Sequence, residues 1–318
     1  MKLSIILPTY NNEKTIDECL KSIFSQKYPR KEFEVLFIDG GSSDRTLKIA
    51  ENYPVKIIDN PKRVEEAARI LGIKKARGEI IAFVDADNTL VGNDWISKML
   101  EPFEDREIIF ADTLYFSYRK KDKWGVKYQA LIGGDDPWAM YLGLYNRWCY
   151  LYDDWTNYPH SDEDRKNYLK SKLVNKNLVP PMGSNGFLIR TRILRKFVKN
   201  TFIHSDLIYE LVNSGYNSFA KVKTGIIHNQ PRFFPNKIRR MKRRVNNEVK
   251  IKYNYGIRKR DIVRTFVYIA LIVPVLFDTV RGFIKKPDSA WLFHPVATYG
   301  ETLIYLYYSI KGIFKRII

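Results

Sequence analysis

Short apolar runs alternate with helix-spaced stretches through the first ninety or so residues, and few folds accept that order. Leu3 to Leu7, Glu34 to Ile38, Val55 to Ile58 and Ile80 to Val84 each read as a strand, the last of them buried. Helices are expected over Thr15 to Phe24, from near Arg45 behind a Ser43 or Asp44 cap, and from about Val64 to Ala76, where Gly78 stops the chain. The alternation predicts a parallel, doubly wound α/β sheet. Such sheets bind ligands outside the carboxyl ends of their strands.

Three of those ends carry polar residues. They are Pro8-Thr9-Tyr10-Asn11-Asn12, Asp39-Gly40-Gly41-Ser42-Ser43-Asp44, and Asp85-Ala86-Asp87. In extended chain, residues two apart share a face, so Asp85 and Asp87 are expected to reach one hard cation together. Mg²⁺ and Mn²⁺ favour carboxylates combined with substrate phosphate oxygens. Asp39 can accept from a base N–H or a ribose hydroxyl, or can serve simply as a turn residue. No Gly-x-Gly-x-x-Gly follows the first strand and no Walker loop is present, which argues against a dinucleotide or ATP site.

Lys and Arg number 54 against 35 Asp and Glu, a formal net charge of +19. That excess predicts an anionic partner: nucleic acid, acidic lipid headgroups or a phosphorylated substrate. Two cysteines, Cys19 and Cys149, provide no disulfide framework, and a reducing compartment is expected. A strand-like run directly after Met1 gives the expectation of no signal peptide.

The middle of the chain is rich in aromatic residues. Tyr141, Tyr145, Trp148, Tyr150, Tyr152, Trp155 and Tyr158 follow the loop Gly133-Gly134-Asp135-Asp136-Pro137-Trp138. Aromatic faces bind sugar rings and settle at membrane interfaces, and they also build ordinary cores. From Pro231 the character changes. Lys237 to Arg260 is densely basic, with Glu248 its only acid. Ile262 to Ile284 and Ala290 to Ile310 are apolar, yet Arg264, Pro274, Asp278 and Arg281 interrupt the first, and His294, Pro295 and Glu301 the second. A spanning helix needs ~20 nearly uncharged residues, so both read as helices lying in a membrane interface or packed on protein. The last turns repeat the pattern, with Ile310, Ile313, Phe314 and Ile317 opposite Lys311, Lys315 and Arg316. The expected division is a catalytic domain over 1–230, its nucleotide part about 1–112 and its acceptor part about 113–230, followed by a basic helical membrane-association region over 231–318.

Pro8-Thr9-Tyr10-Asn11 with Glu13, Asp39-Gly-Gly-Ser-Ser-Asp44, Ala68-Arg69-x-x-Gly72-x-x-x-Ala76-x-Gly78 and Asp85-Ala-Asp87 occur in an order and spacing that resembles glycosyltransferase family 2 with the GT-A fold. The sequence departs from that pattern at Gly40, where an Asp is usual, and at Ile70, where an Asn is usual. The resemblance implies that Pro8, Tyr10, Glu13 and Asp39 line a nucleoside. It implies that Arg69 approaches the nucleotide, Asp85 the ribose or the metal, and Asp87 the metal. Gly183, Ser184 and Asn185 would lie under the donor sugar and acceptor, and Asp135, Asp136 and Trp138 are further candidates there. His228, soon after the last core strand, resembles the family's third metal ligand. The stretch His204-Ser205-Asp206 resembles the region of the catalytic base, with Asp206 preferred and His204 the alternative.

The implied function is inverting transfer of a sugar from a nucleoside diphosphate sugar, with Mn²⁺ or Mg²⁺ as cofactor. GDP-mannose is favoured as donor and a polyprenyl- or dolichyl-linked molecule as acceptor. The expected location is the cytoplasmic face of the cell membrane, held peripherally or monotopically by anionic lipid, without a nucleic-acid partner. The competing readings are a UDP-sugar transferase making a polysaccharide or glycolipid, and a non-catalytic membrane scaffold.

Overall fold

The computed structural model describes residues 1–198, 204–229, 233–246, 253 and 255–317, with side chains as far as residue 312. The chain begins β1 (Leu3–Thr9), α1 (Ile16–Phe24), β2 (Phe33–Asp39), α2 (Thr46–Ala50), β3 (Lys56–Asp59), α3 (Glu65–Lys75) and β4 (Ile80–Phe83), the alternation expected from the apolar runs. These four strands are parallel neighbours in the order β3-β2-β1-β4. Register sets Thr9 beside Asp39 and Asp39 beside Asp59, so the polar strand ends line up along one edge. Gly72 lets α3 press onto this sheet. A Cβ there would stand 2.6 Å from Ile6 Cγ2 and 2.9 Å from Ile38 Cδ1.

The chain continues with β5 (Asn88–Leu90), α4 (Trp95–Leu100) and β6 (Phe110–Phe116), then α5 (Trp124–Ile132) and α6 (Pro137–Tyr141). Next come β7 (His160–Arg165), β8 (Tyr168–Leu173), β9 (Phe187–Arg190), α7 (Thr191–Phe197), α8 (His204–Asn213) and β10 (Phe219–His228). Beyond β4 the sheet is mixed. β9 runs antiparallel between β4 and β6, β10 is parallel to β6, and β8 and β7 close the far edge antiparallel. The expected mostly parallel, doubly wound sheet holds for β1 to β4, and the whole is a ten-stranded mixed sheet. Apolar periodicity identifies a strand without identifying its direction, which pairing partners set.

The C-terminal part holds α9 (Phe233–Val245), α10 (Lys259–Ala270), α11 (Val273–Lys285) and α12 (Phe293–Ile317). Residues 1–117 and 159–229 form one compact unit, and residues 118–158 with 230–318 form a second. This division differs from the sequence reading, which kept 113–230 whole and the tail apart. The reason is apolar complementarity. Tyr128, Leu131, Ile132, Met140, Tyr145, Cys149 and Leu151 share one core with Ala290, Trp291 and Ala297. Of the middle aromatic residues, Tyr145 is in that core and Tyr141, Tyr150 and Tyr152 pack against it, while Trp155 is buried too. Among the described residues no single helix is long and apolar enough to cross a membrane. The side chains of Ile313, Phe314, Lys315, Arg316 and Ile317 lie outside the described residues.

Candidate active site

The loops after β1 and β2 are laced together. Asn11 N donates to Ser42 Oγ at 3.0 Å, Ser43 N to Asn11 Oδ1 at 2.8 Å, and Asn12 N to Thr46 Oγ1 at 2.7 Å. Glu13 Oε2 accepts from Arg45 N at 3.2 Å, and Asp44 Oδ2 accepts from Glu13 N at 3.2 Å. Tyr10 is left largely exposed beside this double loop, and Pro8 is half-buried at the end of β1. Asp39 is 4% exposed and closes its own loop. It accepts from Gly41 N and Ser42 N at 2.9 Å and from Ser42 Oγ at 2.5 Å. A carboxylate has about four lone-pair sites, so Asp39 retains capacity for a further donor.

Asp85 and Asp87 do not extend β4. Asn88 N donates to Asp85 O at 2.9 Å and Asp85 N to Asn88 Oδ1 at 3.0 Å, so residues 85–88 form a tight turn into β5. The chain here is a turn and not the extended strand expected from the sequence, and the two carboxylates meet different partners. Asp85 Oδ1 meets Arg69 Nη2 at 2.6 Å. Arg69 is only 1% exposed, is also gripped by Glu65 at 2.6 Å, and lies over the Phe83 ring. Burial raises the Asp85 pKa, Arg69 opposes it, and the charges of Glu65 and Asp87 add to the rise. Glu65 was missed from sequence, although its i,i+4 spacing to Arg69 on a helix was a readable sign.

Asp87 meets a different partner. Its Oδ2 lies 3.4 Å from His228 Nε2. The strand register explains the meeting: β5 pairs antiparallel with the end of β10, setting His228 opposite Asn88. Asn229 N donates to Asp87 O at 2.8 Å, and Phe116 stacks on the imidazole with centroids 6.2 Å apart. Adjacent ligands of six-coordinate Mg²⁺ or Mn²⁺ stand roughly 3 Å apart, so this carboxylate and imidazole fit one cation after a shift of a few tenths of an ångström. Among the described residues no group of three His, Cys, Asp or Glu side chains converges in that way. Two protein donors with the remaining positions open suit a cation shared with a diphosphate.

The 183–186 loop abuts this turn. Asn88 Nδ2 donates to Asn185 Oδ1 at 2.9 Å, and Gly186 N to Phe83 O at 2.8 Å. Asn185 Nδ2 reaches Ser184 Oγ at 3.3 Å. Gly186 has φ of +84°, and a Cβ there would stand 2.9 Å from both Trp95 and Ile226, so glycine is required on two counts. Gly183 lies against His204 at the start of α8, where an added Cβ would come within 2.8 Å of the His204 Cβ. Through these contacts the first turn of α8 is docked beside the strand-end turn, and it carries Asp206, 9% exposed. Burial, with the charge of Arg69, pulls the His204 pKa down to about 3. An imidazole so disposed is uncharged at neutral pH and holds an accepted proton weakly.

Asp135, Asp136 and Trp138 belong to the second unit, where their partners include the C-terminal helices. Asp136 accepts from Ala139 N at 3.0 Å, capping α6, and pairs with Lys237 at 2.6 Å; Tyr305 also donates to it. Asp135 pairs with Arg240, and Trp138 Nε1 donates to Thr302 Oγ1 at 2.8 Å.

One comparison decides the family: its model for "Glycosyl transferase family 2" matches residues 4–196, more than half of the chain. The chain belongs to glycosyl transferase family 2. It is 42% identical over 104 residues to the poly(ribitol-phosphate) beta-N-acetylglucosaminyltransferase TarS of Staphylococcus aureus, covering 31% of this chain and 17% of that protein. It is 34% identical over 109 residues to a dolichyl N-acetyl-alpha-D-glucosaminyl phosphate 3-beta-D-2,3-diacetamido-2,3-dideoxy-beta-D-glucuronosyltransferase of Methanococcus voltae, covering 32% and 34%. The matched stretches thus span at most about a third of these relatives. Its fold resembles that of the mannosyltransferase PcManGT from Pyrobaculum calidifontis, solved with GDP-Man and Mn²⁺, at a TM-score of 0.52 and 16% identity over 98% of this chain and 83% of the other. The family 2 fold accounts for the mixed α/β sheet seen here.

Proposed function

We propose that this chain is an inverting, metal-dependent glycosyltransferase that moves a sugar from a nucleoside diphosphate sugar to a lipid-linked acceptor. One observation carries the reading: Asp87 and His228 face each other at 3.4 Å, beside an Asp85 held by a buried Arg69. Mn²⁺ or Mg²⁺ on Asp87 and His228 would supply charge neutralisation for a diphosphate leaving group. The laced loops carrying Pro8, Tyr10, Glu13 and Asp39 bind the nucleoside. Arg69 does not reach the surface; it orients Asp85 toward the ribose. The 183–185 loop supports the donor sugar. Asp206 takes the proton of the acceptor hydroxyl as that oxygen attacks the anomeric carbon and the nucleoside diphosphate leaves.

The acceptor reading draws support from the dolichyl-linked reaction named for the Methanococcus relative and from the +19 charge, which suits an acceptor phosphate and acidic headgroups. The second unit is read as a monotopic association with the cytoplasmic face of the cell membrane. GDP-mannose is the favoured donor and a UDP-sugar the runner-up.

The test is calorimetric titration of the whole chain with GDP-mannose, UDP-glucose and UDP-GlcNAc, with and without Mn²⁺, followed by transfer assays onto a polyprenyl-phosphate-linked sugar, which offers the acceptor hydroxyl. Metal-dependent binding of one donor and turnover on the lipid acceptor are expected. Absence of binding by every donor would overturn the proposal.

A further inference from the structure

Between Arg264 and Arg281 the only charged residue is Asp278, and it is buried, accepting from Tyr141 at 3.0 Å and Tyr268 at 2.9 Å. The rest of this stretch places a long series of apolar side chains at the surface. Phe266, Val267, Leu276, Phe277 and Val280 are each 42–63% exposed. Exposure rises at the junction of α10 and α11, where Leu271, Ile272 and Val273 reach 62%, 54% and 71%. The two helices bend by 83° there. Ile272 takes φ of +61°, a conformation that a β-branched residue rarely adopts, and Pro274 just beyond it has no backbone N–H to continue α10, so the bend is fixed in the local chain. A contiguous apolar surface of this extent marks an interaction site.

The occupant is indicated by where the charges stand. Exposed cations flank the elbow on both arms: Lys259, Arg260 and Arg264 toward the start of α10, and Arg281 on α11. With each arm inclined by half of the 83° bend, helices of 12 and 13 residues rising 1.5 Å per residue reach about 12–13 Å from foot to apex. Half of a bilayer's hydrocarbon thickness is about 15 Å. We infer that α10 and α11 form a re-entrant elbow that enters one leaflet of an anionic bilayer, with Leu271-Ile272-Val273 at its deepest point and the flanking cations on the headgroups. This rests on the membrane association proposed above and adds to it a contact site, a depth and a one-sided topology. A second copy of the chain could also cover the apolar apex, and the exposed cations on both arms favour the anionic bilayer instead.

The experiment places a nitrobenzoxadiazole label on Ile272→Cys or, as a control at the foot, on Lys259→Cys. Each full chain is mixed with vesicles of phosphatidylcholine containing phosphatidylglycerol or of phosphatidylcholine alone. Cys19 and Cys149 are buried, and the unsubstituted chain reports any labelling of them. The apex label is expected to shift to the blue on anionic vesicles and to be quenched several-fold more than the foot label by lipids with a mid-chain nitroxide. Ile272→Asp is expected to weaken sedimentation with those vesicles about tenfold. If the chain sediments while the apex label remains in water, the elbow is overturned and the membrane association stands. Failure of the unsubstituted chain to sediment removes both. Quenching of the apex label by an ion trapped inside sealed vesicles would show a full crossing and overturn the one-leaflet reading. A blue shift without lipid that grows with protein concentration would assign the surface to a second copy instead.

Discussion

His228 Nε2 and Asp87 Oδ2 stand 3.4 Å apart because β5 pairs with the last residues of β10, although they lie far apart in sequence. That register makes the imidazole and the carboxylate a unit, and their substitutions are predicted to differ in degree. Asp87→Ala removes the only anion of the pair and should abolish Mn²⁺-dependent donor binding. His228→Asn should weaken it about 10–100-fold while metal-independent nucleotide binding persists. Calorimetry with and without Mn²⁺ reads both, and unchanged metal dependence in Asp87→Ala would sink the assignment.

Asp206 and His204 share the first turn of α8, where burial and the charge of Arg69 weaken His204 as a base. With its pKa near 3, His204 takes a proton poorly at pH 7. Asp206→Asn is predicted to lower kcat by about 10²-fold or more with the donor KM little changed, in line with the 10²–10⁴ typical of general-base catalysis. His204→Asn should cost less than about tenfold. The reverse ranking in steady-state kinetics would move the role to His204.

Lys237 in the second unit is a buried cation between Asp136 at 2.6 Å and Glu301 at 3.2 Å. Burial raises the Glu301 pKa well above its ordinary value, helped by the charge of Asp136, whereas Lys237 keeps Asp136 ionised, near 2. That rise favours the protonated form of Glu301. Lys237→Met strands a buried carboxylate and should cost about 3–5 kcal/mol. Glu301→Gln mimics the protonated form that this rise favours and should cost less than about 1 kcal/mol. Denaturant titration of both variants measures the contrast.

His294 bridges Tyr128, at 2.6 Å from Nδ1, and Tyr141, at 2.8 Å from Nε2. Burial holds its pKa down at about 3, against 6.5 in an unfolded chain. Between those values the unfolded state binds the extra proton, so stability falls as pH falls from 6.5 toward 3 and does not fall on that account above 6.5. The loss should be about 2 kcal/mol by pH 5. His294→Gln is predicted to flatten that part of the curve by about this amount, although it lowers stability at pH 7. Parallel pH profiles for variant and wild type would contradict the assignment.

What was readable from residue order alone is what local chemistry encodes. Four apolar runs and their helical spacers specified β1 to β4 to within a residue or two, since burial of one strand or helix face is a short-range pattern. The strand-end polar groups were readable for the same reason, and so was Gly72 as part of a family pattern. Tertiary structure decided three other things. It inserted β9 antiparallel between β4 and β6, because strand direction is set by partners distant in sequence. It divided Asp85 from Asp87, giving one to Arg69 and the other to His228, because a tight turn at residues 85–88 replaced the extended chain that spacing suggested. It joined residues 118–158 to the C-terminal helices and thereby placed Asp136 against Lys237, because Trp291 and its neighbours needed an apolar surface that only α5 and the segment after it supplied. Each depends on contacts between residues far apart in the chain, whose energies no window of local sequence contains.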